Sequence, residues 1–204
     1  MANPIKIIGV PFSQNVRKPL AVAHHLGLDV ENPPLAPNDP AFKDLHSSGR
    51  IPLLDDAGFV IGESNAIMIY LCSKTKNDLY PEDPKARALV NQFLFWDVAH
   101  WTPAYQPIQF ERLVKGMLGL GDTDEAVVEA TLLKFAREAA YLNGALEGKS
   151  WLVGDAPTLA DFAAGAGLTH AEAMGLPLAD YANVCAWNER VQGLEGFKKT
   201  EVKM

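Results

Sequence analysis

A serine and an asparagine follow the first apolar run of the chain, in a loop that leads into a helical pattern. Residues 6–10 form a short apolar run that predicts a buried strand, and Ser13 and Asn15 come shortly after it. A side chain in such a loop lies near the positive end of a helix dipole and at the edge of a sheet. These two polar side chains could therefore donate hydrogen bonds to a bound anion.

A second group of polar residues stands further along the chain, around a proline. Pro52 lies between Ile51 and two leucines, at the start of a strand pattern. Because proline cannot donate to a sheet ladder, we expect a tight turn, with a cis or a trans bond, that leaves the backbone of Ile51 free to pair with an extended peptide. Glu63 and Ser64 then open a helical pattern, with Ser64 as its N-cap and free N–H groups that form an anion site. Both features suit a short peptide that carries its own carboxylates.

Composition and charge exclude several classes of partner. The 204 residues are 48% apolar and 21% charged, which is ordinary for a globular protein with a substantial core. The formal net charge is −7, from 18 basic and 25 acidic residues, and no run of Lys or Arg stands out. We therefore expect neither nucleic acid nor an anionic membrane surface as a partner.

The cysteine count and the first residues bear on the compartment. Cys72 and Cys185 are far apart, with no Cys-x-x-Cys pair and no His/Cys cluster. They are typical of buried thiols in a reducing compartment, and a redox or metal role is the alternative. The start of the chain has no basic region followed by a long apolar core, and no segment would span a bilayer. We therefore expect a cytoplasmic protein without a metal.

Alternating strand and helix patterns fill the first part of the chain. The order is β-α-β-α-β-β-α, which begins with the strand, helix, strand unit of a parallel sheet and ends with an antiparallel hairpin and a helix. The predicted elements are strands at 6–10, 29–31, 53–54 and 59–61 and helices at 16–26, 41–46 and 64–73.

Only helical patterns follow the proline-rich acidic stretch at 79–84, which is the expected linker between a domain at 1–78 and a helical domain at 85–204. The first helix carries Leu89, Phe93 and Trp96 on one face, and Pro103 and Pro107 should kink or interrupt it. A second long helix covers 132–146, and a last one covers 184–191.

A polar pair within the helical half predicts a helix start. Thr158 and Asp161 have the spacing of a capping box that opens a helix of small residues. Because the hydroxyl and the carboxylate of such a box both bind backbone N–H groups, we interpret this pair as structural rather than catalytic.

Four strings together resemble the cytosolic glutathione transferases of the serine type, similar to theta-, delta- and phi-like bacterial members. The resemblance covers nearly the whole chain and implies a thioredoxin-like domain, which binds glutathione, followed by an all-α domain. The strings are Ser13-x-x-x-Arg17, Gly49-Arg50-Ile51-Pro52-Leu53-Leu54, Glu63-Ser64-x-Ala66-Ile67 and Gly154-Asp155-x-Pro157-Thr158-x-Ala160-Asp161.

The resemblance implies that Ser13 donates a hydrogen bond to the sulfur of glutathione, with Asn15 as the other candidate. A free thiol has a pKa of about 8.5, and lowering it by about two units takes about 2.7 kcal/mol of preference for the thiolate. A hydrogen bond to a charged group supplies about 1.5–3 kcal/mol and a helix N-terminus about 0.3–1 kcal/mol. Neither a base nor a metal is then required.

The resemblance also implies which residues hold glutathione. Arg50, Ile51 and Pro52 would bind along the tripeptide, and Glu63 and Ser64 would hold the ammonium and the carboxylate of its γ-glutamyl end. Delta-class members have a histidine where this chain has Gly49, so that contact is missing. His46 is near enough in sequence to replace it, although a place on a polar helix surface is the alternative.

The electrophile pocket of this family is formed by the first loop and the first long helix of the second domain. Here these segments offer Phe12, Trp101, Tyr105 and Ile108. Aromatic residues at helical spacing also build cores, and that alternative stays open.

The expected function is therefore a glutathione transferase that acts on a small apolar electrophile, with glutathione as co-substrate and a homodimer as the assembly typical of the family. The alternatives are a non-catalytic glutathione-binding module, a glutathione-dependent dehalogenase or isomerase, and a disulfide reductase. The first loop has no cysteine, which disfavours the last of these.

Overall fold

The computed structural model of the chain describes residues 4–36 and 39–201, with the side chains of 42–44 left out. Contacts divide the chain into two compact units, one of Met1–Asp83 with Val191–Met204 and the other of Pro84–Arg190. The division after Asp83 falls inside the expected linker. The return of the C-terminal residues to the first unit differs from the sequence prediction, which assigned all of 85–204 to the helical domain.

The first unit contains the predicted order β-α-β-α-β-β-α, which confirms the thioredoxin-like fold class. Its elements are β1 (Ile5–Ile8), α1 (Gln14–His25), β2 (Val30–Glu31), α2 (Pro40–Leu45), β3 (Leu53–Asp56), β4 (Phe59–Ile61) and α3 (Ser64–Cys72).

These strands form one sheet in the order β2-β1-β3-β4. β1 pairs with β2 in parallel and with β3 antiparallel, and Ile7 lies opposite Leu54 with neither side chain exposed. The predicted hairpin between β3 and β4 is present. In its turn the Asp55 carboxylate accepts the Gly58 N–H at 2.8 Å, and Gly58 has a φ of 93°, a value that favours glycine.

A close approach at the end of β1 sets the start of helix α1. A Cβ on Gly9 would lie 2.7 Å from Cγ2 of Val16 and 3.0 Å from Cβ of Ile51, and Gly9 has a φ of 144°. Only glycine allows the loop after β1 to pass this close to the first turn of α1. The loop that carries Ser13 is therefore held against both the helix and the turn at Ile51.

The second unit is helical, as predicted. Its elements are α4 (Pro84–Trp96), a π-helical turn (Asp97–Trp101), α5 (Thr102–Gln109), a second π-helical turn (Phe110–Val114), α6 (Lys115–Met117), α7 (Glu125–Ala145), α8 (Leu159–Ala166), α9 (Ala171–Met174), a 3₁₀ turn (Leu178–Asp180) and α10 (Ala182–Gln192). The last two residues of α10 belong to the first unit, and so does the following helix α11 (Glu195–Lys199).

Pro103 and Pro107 do not break the first long helix of this unit. Instead the helical path is continuous over 84–117, with a wide π turn before Pro103 and another after Pro107. Proline lacks an N–H, and its ring clashes with the carbonyl four residues earlier, so the wider turn before Pro103 relieves the conflict there while the helix continues. The sequence signals a disturbance here but does not specify its form.

Asp161 ties together three segments of the second unit. Its Oδ2 accepts the Thr158 N–H at 2.9 Å, which completes the predicted capping box. Its Oδ1 accepts the Leu152 N–H at 2.9 Å and the indole N–H of Trp187 at 2.8 Å. Burial raises the pKa of the Asp161 carboxyl, while these donors favour its ionised form.

Within the described residues, no helix has the length and apolar character needed to cross a membrane.

Replacing Asp161 by alanine should destabilise the chain strongly. Asp161 has no exposed surface, so the change leaves buried N–H groups of Leu152, Thr158 and Trp187 without an acceptor. Each such group costs about 1–3 kcal/mol, and we expect a loss of at least about 3 kcal/mol in the free energy of unfolding, measured by urea denaturation. The exposed Asp155→Ala is the control and should lie within about 0.5 kcal/mol of wild type. Equal midpoints for both variants would contradict this role.

Stability should fall on acidification through the packing of α1 against α11. Burial lowers the pKa of His24, and the Lys199 ammonium lowers it further. His24 therefore binds a proton less readily in the folded state than in the unfolded chain, where its pKa is about 6.5. The contribution of neutral His24 to the free energy of unfolding is complete above that pH and is lost as the pH falls below it. Thermal unfolding of wild type and His24→Gln at pH 7.5 and 5.5 should show a smaller pH dependence in the variant. Equal dependence would exclude this contribution.

Candidate functional site

Ser13 occupies the N-cap position of α1, yet its hydroxyl does not cap the helix. Its backbone is extended, with φ −67° and ψ 122°, and no hydrogen bond runs from the first turn to its side chain. The carbonyl oxygen of Ser13 accepts the N–H groups of Val16 and Arg17, each at 2.9 Å. A serine at this position normally binds the N–H of the second or third residue. Ser13 is half-buried, and its hydroxyl is thus not used by the helix.

Asn15 and Ser64 are brought together although they are far apart in the sequence. The hydroxyl of Ser64 donates to Oδ1 of Asn15 at 3.4 Å, at the long end of the range for such a bond. Asn15 lies in the first turn of α1, and Ser64 is the first residue of α3. The N-termini of the two helices therefore meet, and the positive ends of their dipoles make this a place for negative charge.

The prediction that Ser64 caps α3 is wrong by one residue. Glu63 occupies the cap position, and the helix begins at Ser64, which is only 7% exposed. Glu63 has φ 62° and ψ 107°, an uncommon conformation for a residue with a side chain. Such a backbone costs about 1–3 kcal/mol and is characteristic of ligand-binding sites. Glu63 is exposed, and it is the acidic residue of the predicted site, so the strained backbone lies where a ligand ammonium is expected.

The segment before β3 forms the tight turn that the sequence predicts. Gly49 has a φ of 62°, and the bond between Ile51 and Pro52 is cis. Pro52 is buried, whereas Arg50 is exposed. Ile51 packs on the apolar cluster of Ile8 and Leu53. This packing fixes the turn on the sheet and leaves the Arg50 side chain in solvent.

His46 lies beside the predicted site. Its Nδ1 is 2.9 Å from the hydroxyl of Ser48, and its ring carbon Cε1 would be 3.7 Å from a Cβ on Gly62. Because Gly62 directly precedes Glu63, the structure brings His46 close to the residues predicted to hold the γ-glutamyl end. The sequence alone could not decide this, since the two segments are separated by the hairpin.

The predicted electrophile residues have different surroundings. Phe12 is half-buried in the first unit. In the second unit, Trp101, Tyr105 and Ile108 are at most 1% exposed. Trp101 donates its indole N–H to the Ala164 carbonyl at 2.9 Å and stacks on Trp96 with ring centroids 5.4 Å apart. Burial favours the core alternative for these three side chains.

Exposed apolar side chains lie further along the same helical path. Phe110 is 42% exposed, Met117 67% and Leu118 63%. They lie outside the predicted electrophile set, whose candidates in the second unit all fall within residues 101–108. Their spacing of seven and eight residues is typical of one face of a regular α-helix, and that signal was present in the sequence, although in the structure the π turn Phe110–Val114 lies between Phe110 and Met117.

Neither cysteine has the surroundings of a reactive thiol. Both are free; Cys72 is buried, and Cys185 directs its sulfur to the Leu178 carbonyl at 3.0 Å. Burial raises the pKa of the Cys72 thiol to about 12, so it stays protonated at neutral pH. This disfavours disulfide exchange. Within the part of the chain that the structure describes, no cluster of three or more His, Cys, Asp or Glu could hold a metal ion.

Two family models match the chain. The model of the glutathione S-transferase N-terminal domain matches residues 12–74, and that of the glutathione S-transferase C-terminal domain matches residues 89–195. The first range contains Ser13, the turn at Pro52 and the start of α3. The second contains the capping box.

Individual proteins agree with the family models. Glutathione S-transferase 3 of Zea mays is 34% identical over 210 residues, which cover 97% of this chain and 93% of the relative. A solved structure of a delta-class glutathione transferase from Nilaparvata lugens is 33% identical, with a TM-score of 0.80 and coverage of 97% and 93%. Maize glutathione S-transferase I, solved with an atrazine glutathione conjugate, is 27% identical, with a TM-score of 0.88 and coverage of 97% and 96%. The chain belongs to the glutathione S-transferase family.

Proposed function

We propose that this transferase activates glutathione as a thiolate through the Ser13 hydroxyl and joins its sulfur to an apolar electrophile. The observation that carries this proposal is the Ser13 side chain, which stands at the N-terminus of α1 without capping it. A hydroxyl that the helix does not use can donate to a ligand instead. The start of α1 adds the positive end of its helix dipole.

The energy required is small enough for these groups to supply. Keeping the thiol ionised at neutral pH takes a pKa about two units below the free value of about 8.5, or about 2.7 kcal/mol. One hydrogen bond to a charged sulfur gives about 1.5–3 kcal/mol, and the helix terminus adds about 0.3–1 kcal/mol. The thiol proton passes to water and the thiolate electron pair forms the S–C bond. In a substitution the leaving group departs with its electron pair, and in an addition the electrophile takes up a proton from water.

The second part of the proposal is how glutathione is held. The Glu63 carboxylate pairs with the ammonium of the γ-glutamyl group, and Ser64 binds its carboxylate through the hydroxyl and the N–H. Ile51, before the cis Pro52, pairs its backbone with the cysteinyl residue, and Arg50 attracts the glycine carboxylate. Support comes from the meeting of the two helix N-termini at Asn15 and Ser64.

Asn15 is the rival of Ser13 for the activating role. Its Oδ1 already accepts the Ser64 hydroxyl. This bond favours a role for Asn15 in placing the start of α3, and Ser13 as the group that donates to the sulfur. The two roles differ in what a substitution would change, since the first affects glutathione binding and the second affects the thiol pKa.

For the apolar electrophile, we propose Phe12 of the first unit as a candidate contact. Phe110, Met117 and Leu118 of the second unit are exposed apolar side chains, a common feature of ligand surfaces, and are separate candidates. The burial of Trp101, Tyr105 and Ile108 makes direct contact with an electrophile less favourable for them.

We also propose a homodimer in a reducing, cytoplasmic setting. Apolar side chains remain exposed on helices of the second unit, among them Phe95 at 72% and Leu133 at 77%. A second copy of the chain would cover such surface. The two free cysteines suit a compartment in which thiols stay reduced.

Ser13→Ala should abolish the thiolate of bound glutathione near pH 7. Without the hydroxyl, the pKa of the bound thiol should return toward about 8.5, and kcat/KM at pH 7 should fall by about 10–100-fold. The measurement is the ultraviolet difference spectrum of the glutathione complex, with a standard aromatic halide as electrophile for the rates.

Ser13→Thr is the matched control, because it keeps a hydroxyl, and it should retain most of the thiolate band. A band that persists in Ser13→Ala but disappears in Asn15→Ala would move the activating role to Asn15. Glutathione binding without any thiolate in wild type would favour the non-catalytic module, and no binding at all would contradict the proposed function.

The dimer proposal predicts a molecular mass in solution of twice the 22.2 kDa of one chain. Sedimentation equilibrium at micromolar concentration measures this mass directly. A mass of one chain at all concentrations tested would contradict the dimer and leave the glutathione chemistry untouched.

A further inference from the structure

We infer that Arg17 and the C-terminal clamp, defined here as Gln192 together with α11 and Thr200, position Ser13 for thiol activation. The inference deepens the proposed function and rests on it. It makes the last turns of the chain a part of the thiol-activating machinery. It also gives a role to the arginine of the Ser-x-x-x-Arg string, which none of the contacts proposed for glutathione requires.

The side chain of Arg17 is buried and binds the clamp at several points. It is only 5% exposed. Its Nε donates to the carbonyl oxygen of Thr200 at 3.1 Å and to the hydroxyl of Thr200 at 3.2 Å, and Nη2 donates to the Phe197 carbonyl at 3.1 Å. Nη1 reaches Oε1 of Gln192 at 3.4 Å, and the guanidinium lies 5.1 Å from the centroid of the Phe197 ring. Only a planar guanidinium, with several N–H donors in a fixed arrangement, can bind all of these acceptors at the same time.

Gly196 shows how closely the clamp lies on helix α1. A Cβ on Gly196 would be 2.0 Å from the carbonyl oxygen of Ala21 and 3.2 Å from Cβ of His25. A contact below 3 Å with a backbone atom requires the two helices to separate. Phe197, the next residue, has no exposed surface. The α1–α11 contact is therefore as tight as its backbones allow.

The clamp holds α1 directly behind the candidate catalytic residue. The N–H of Arg17 donates to the carbonyl oxygen of Ser13 at 2.9 Å, so Arg17 belongs to the turn that Ser13 opens. Ala21 lies one turn further along. On its other sides the start of α1 meets Gly9 through Val16 and α3 through Asn15.

Because a helix moves as a stiff body, loosening its contacts at Arg17 and Ala21 lets the Ser13 end shift. A displacement of about 1 Å in a reacting group can cost about 100-fold in rate.

The charge of Arg17 strengthens this dependence on the clamp. Burial lowers the pKa of Arg17 to about 10, with a partial opposing effect of the Glu201 carboxylate, so the side chain is still charged at neutral pH. Its hydrogen-bond acceptors in the clamp are neutral carbonyl, hydroxyl and amide oxygens. A buried charge needs such partners, so opening the clamp would leave the guanidinium poorly bound.

The proposed glutathione-holding residues lie on other elements. Arg50 is in the turn before β3, and Glu63 and Ser64 are at the start of α3. A shift of α1 should therefore change the ionisation of the bound thiol more than the affinity for glutathione. This separates positioning from a general loss of structure, which would weaken both.

The experiment uses the full chain with Gly196→Ala, Arg17→Lys and Thr200→Val, and Gly144→Ala as the matched control, since a Cβ on Gly144 meets nothing within 4 Å. Gly196→Ala pushes α11 off α1 while Arg17 is kept. Arg17→Lys keeps the charge but loses the fork. Thr200→Val removes one acceptor of Arg17 together with the hydroxyl's bond to the Gly196 and Phe197 carbonyls, while the Thr200 carbonyl still accepts from Arg17, so this variant remains informative if the other two fold poorly. The readouts are the dissociation constant for glutathione, the pH titration of the thiolate band, and kcat with its pH profile.

Gly196→Ala and Arg17→Lys should bind glutathione within about threefold of wild type while the thiol pKa rises by about one unit, which corresponds to about a tenfold fall in thiolate at pH well below the pKa. With a thiol pKa of about 6.5 in wild type and about 7.5 in these variants, kcat at pH 7 should fall about threefold, the fall should approach tenfold at lower pH, and the rate should recover near pH 9. Thr200→Val should shift the thiol pKa in the same direction by less, and Gly144→Ala should match wild type.

Wild-type thiol pKa values in folded Gly196→Ala and Arg17→Lys would overturn the inference. So would an unchanged pKa in Arg17→Lys with a raised pKa in Arg17→Met, because the charge itself would then act on the sulfur. Equal losses of glutathione affinity and of thiolate would also overturn it, since that pattern indicates a structural role alone. A wild-type protein without a thiolate band would instead refute the proposed function, and this result is seen before any variant is measured.

Discussion

The start of helix α1 is the constraint on which the rest of the first unit depends. Val16 packs so closely on Gly9 that any side chain at Gly9 would clash with it. From the opposite side, the missing side chain of Gly196 allows the backbone of α11 to contact the backbone of Ala21. Two glycines therefore fix one helix between the sheet and the C-terminal residues. The consequence is a Ser13 whose position is set by packing and whose hydroxyl is left unused by the helix.

Arg17 in the first unit and Asp161 in the second are buried ionisable groups with several neutral hydrogen-bond partners. Arg17 donates to carbonyl, hydroxyl and amide oxygens, and Asp161 accepts from N–H and hydroxyl groups of three segments. Dispersed neutral partners compensate a buried charge only when all of them are in place, which makes each network sensitive to small displacements. In the second unit, a displaced partner of Asp161 would weaken the packing of the helices. In the first unit, a displaced partner of Arg17 would weaken the contacts that hold helix α1, which follows Ser13.

Modest interactions are sufficient for a glutathione transferase, because the substrate brings its own nucleophile. The protein has only to bind a tripeptide and favour the charged form of its thiol. Membership of the family fixes this general chemistry, and the positions of Ser13, Asn15 and Ser64 are consistent with it. What varies between members is the surface that meets the electrophile. In this chain, Phe110 and Met117 are exposed apolar side chains and are proposed as candidates for that surface.

Local patterns in the sequence determined the order of strands and helices, the hairpin between β3 and β4, the capping box at Asp161 and the change of composition near Asp83, since each depends on neighbouring residues. The Ser13, Pro52 and Glu63 strings also pointed to glutathione through their resemblance to a family. Only the tertiary structure decided the positive φ of Glu63, the π turns around Pro103 and Pro107, and the burial of Trp101. It alone placed Arg17 against Thr200, at the other end of the chain. These features arise from contacts between distant segments, which no local spacing encodes.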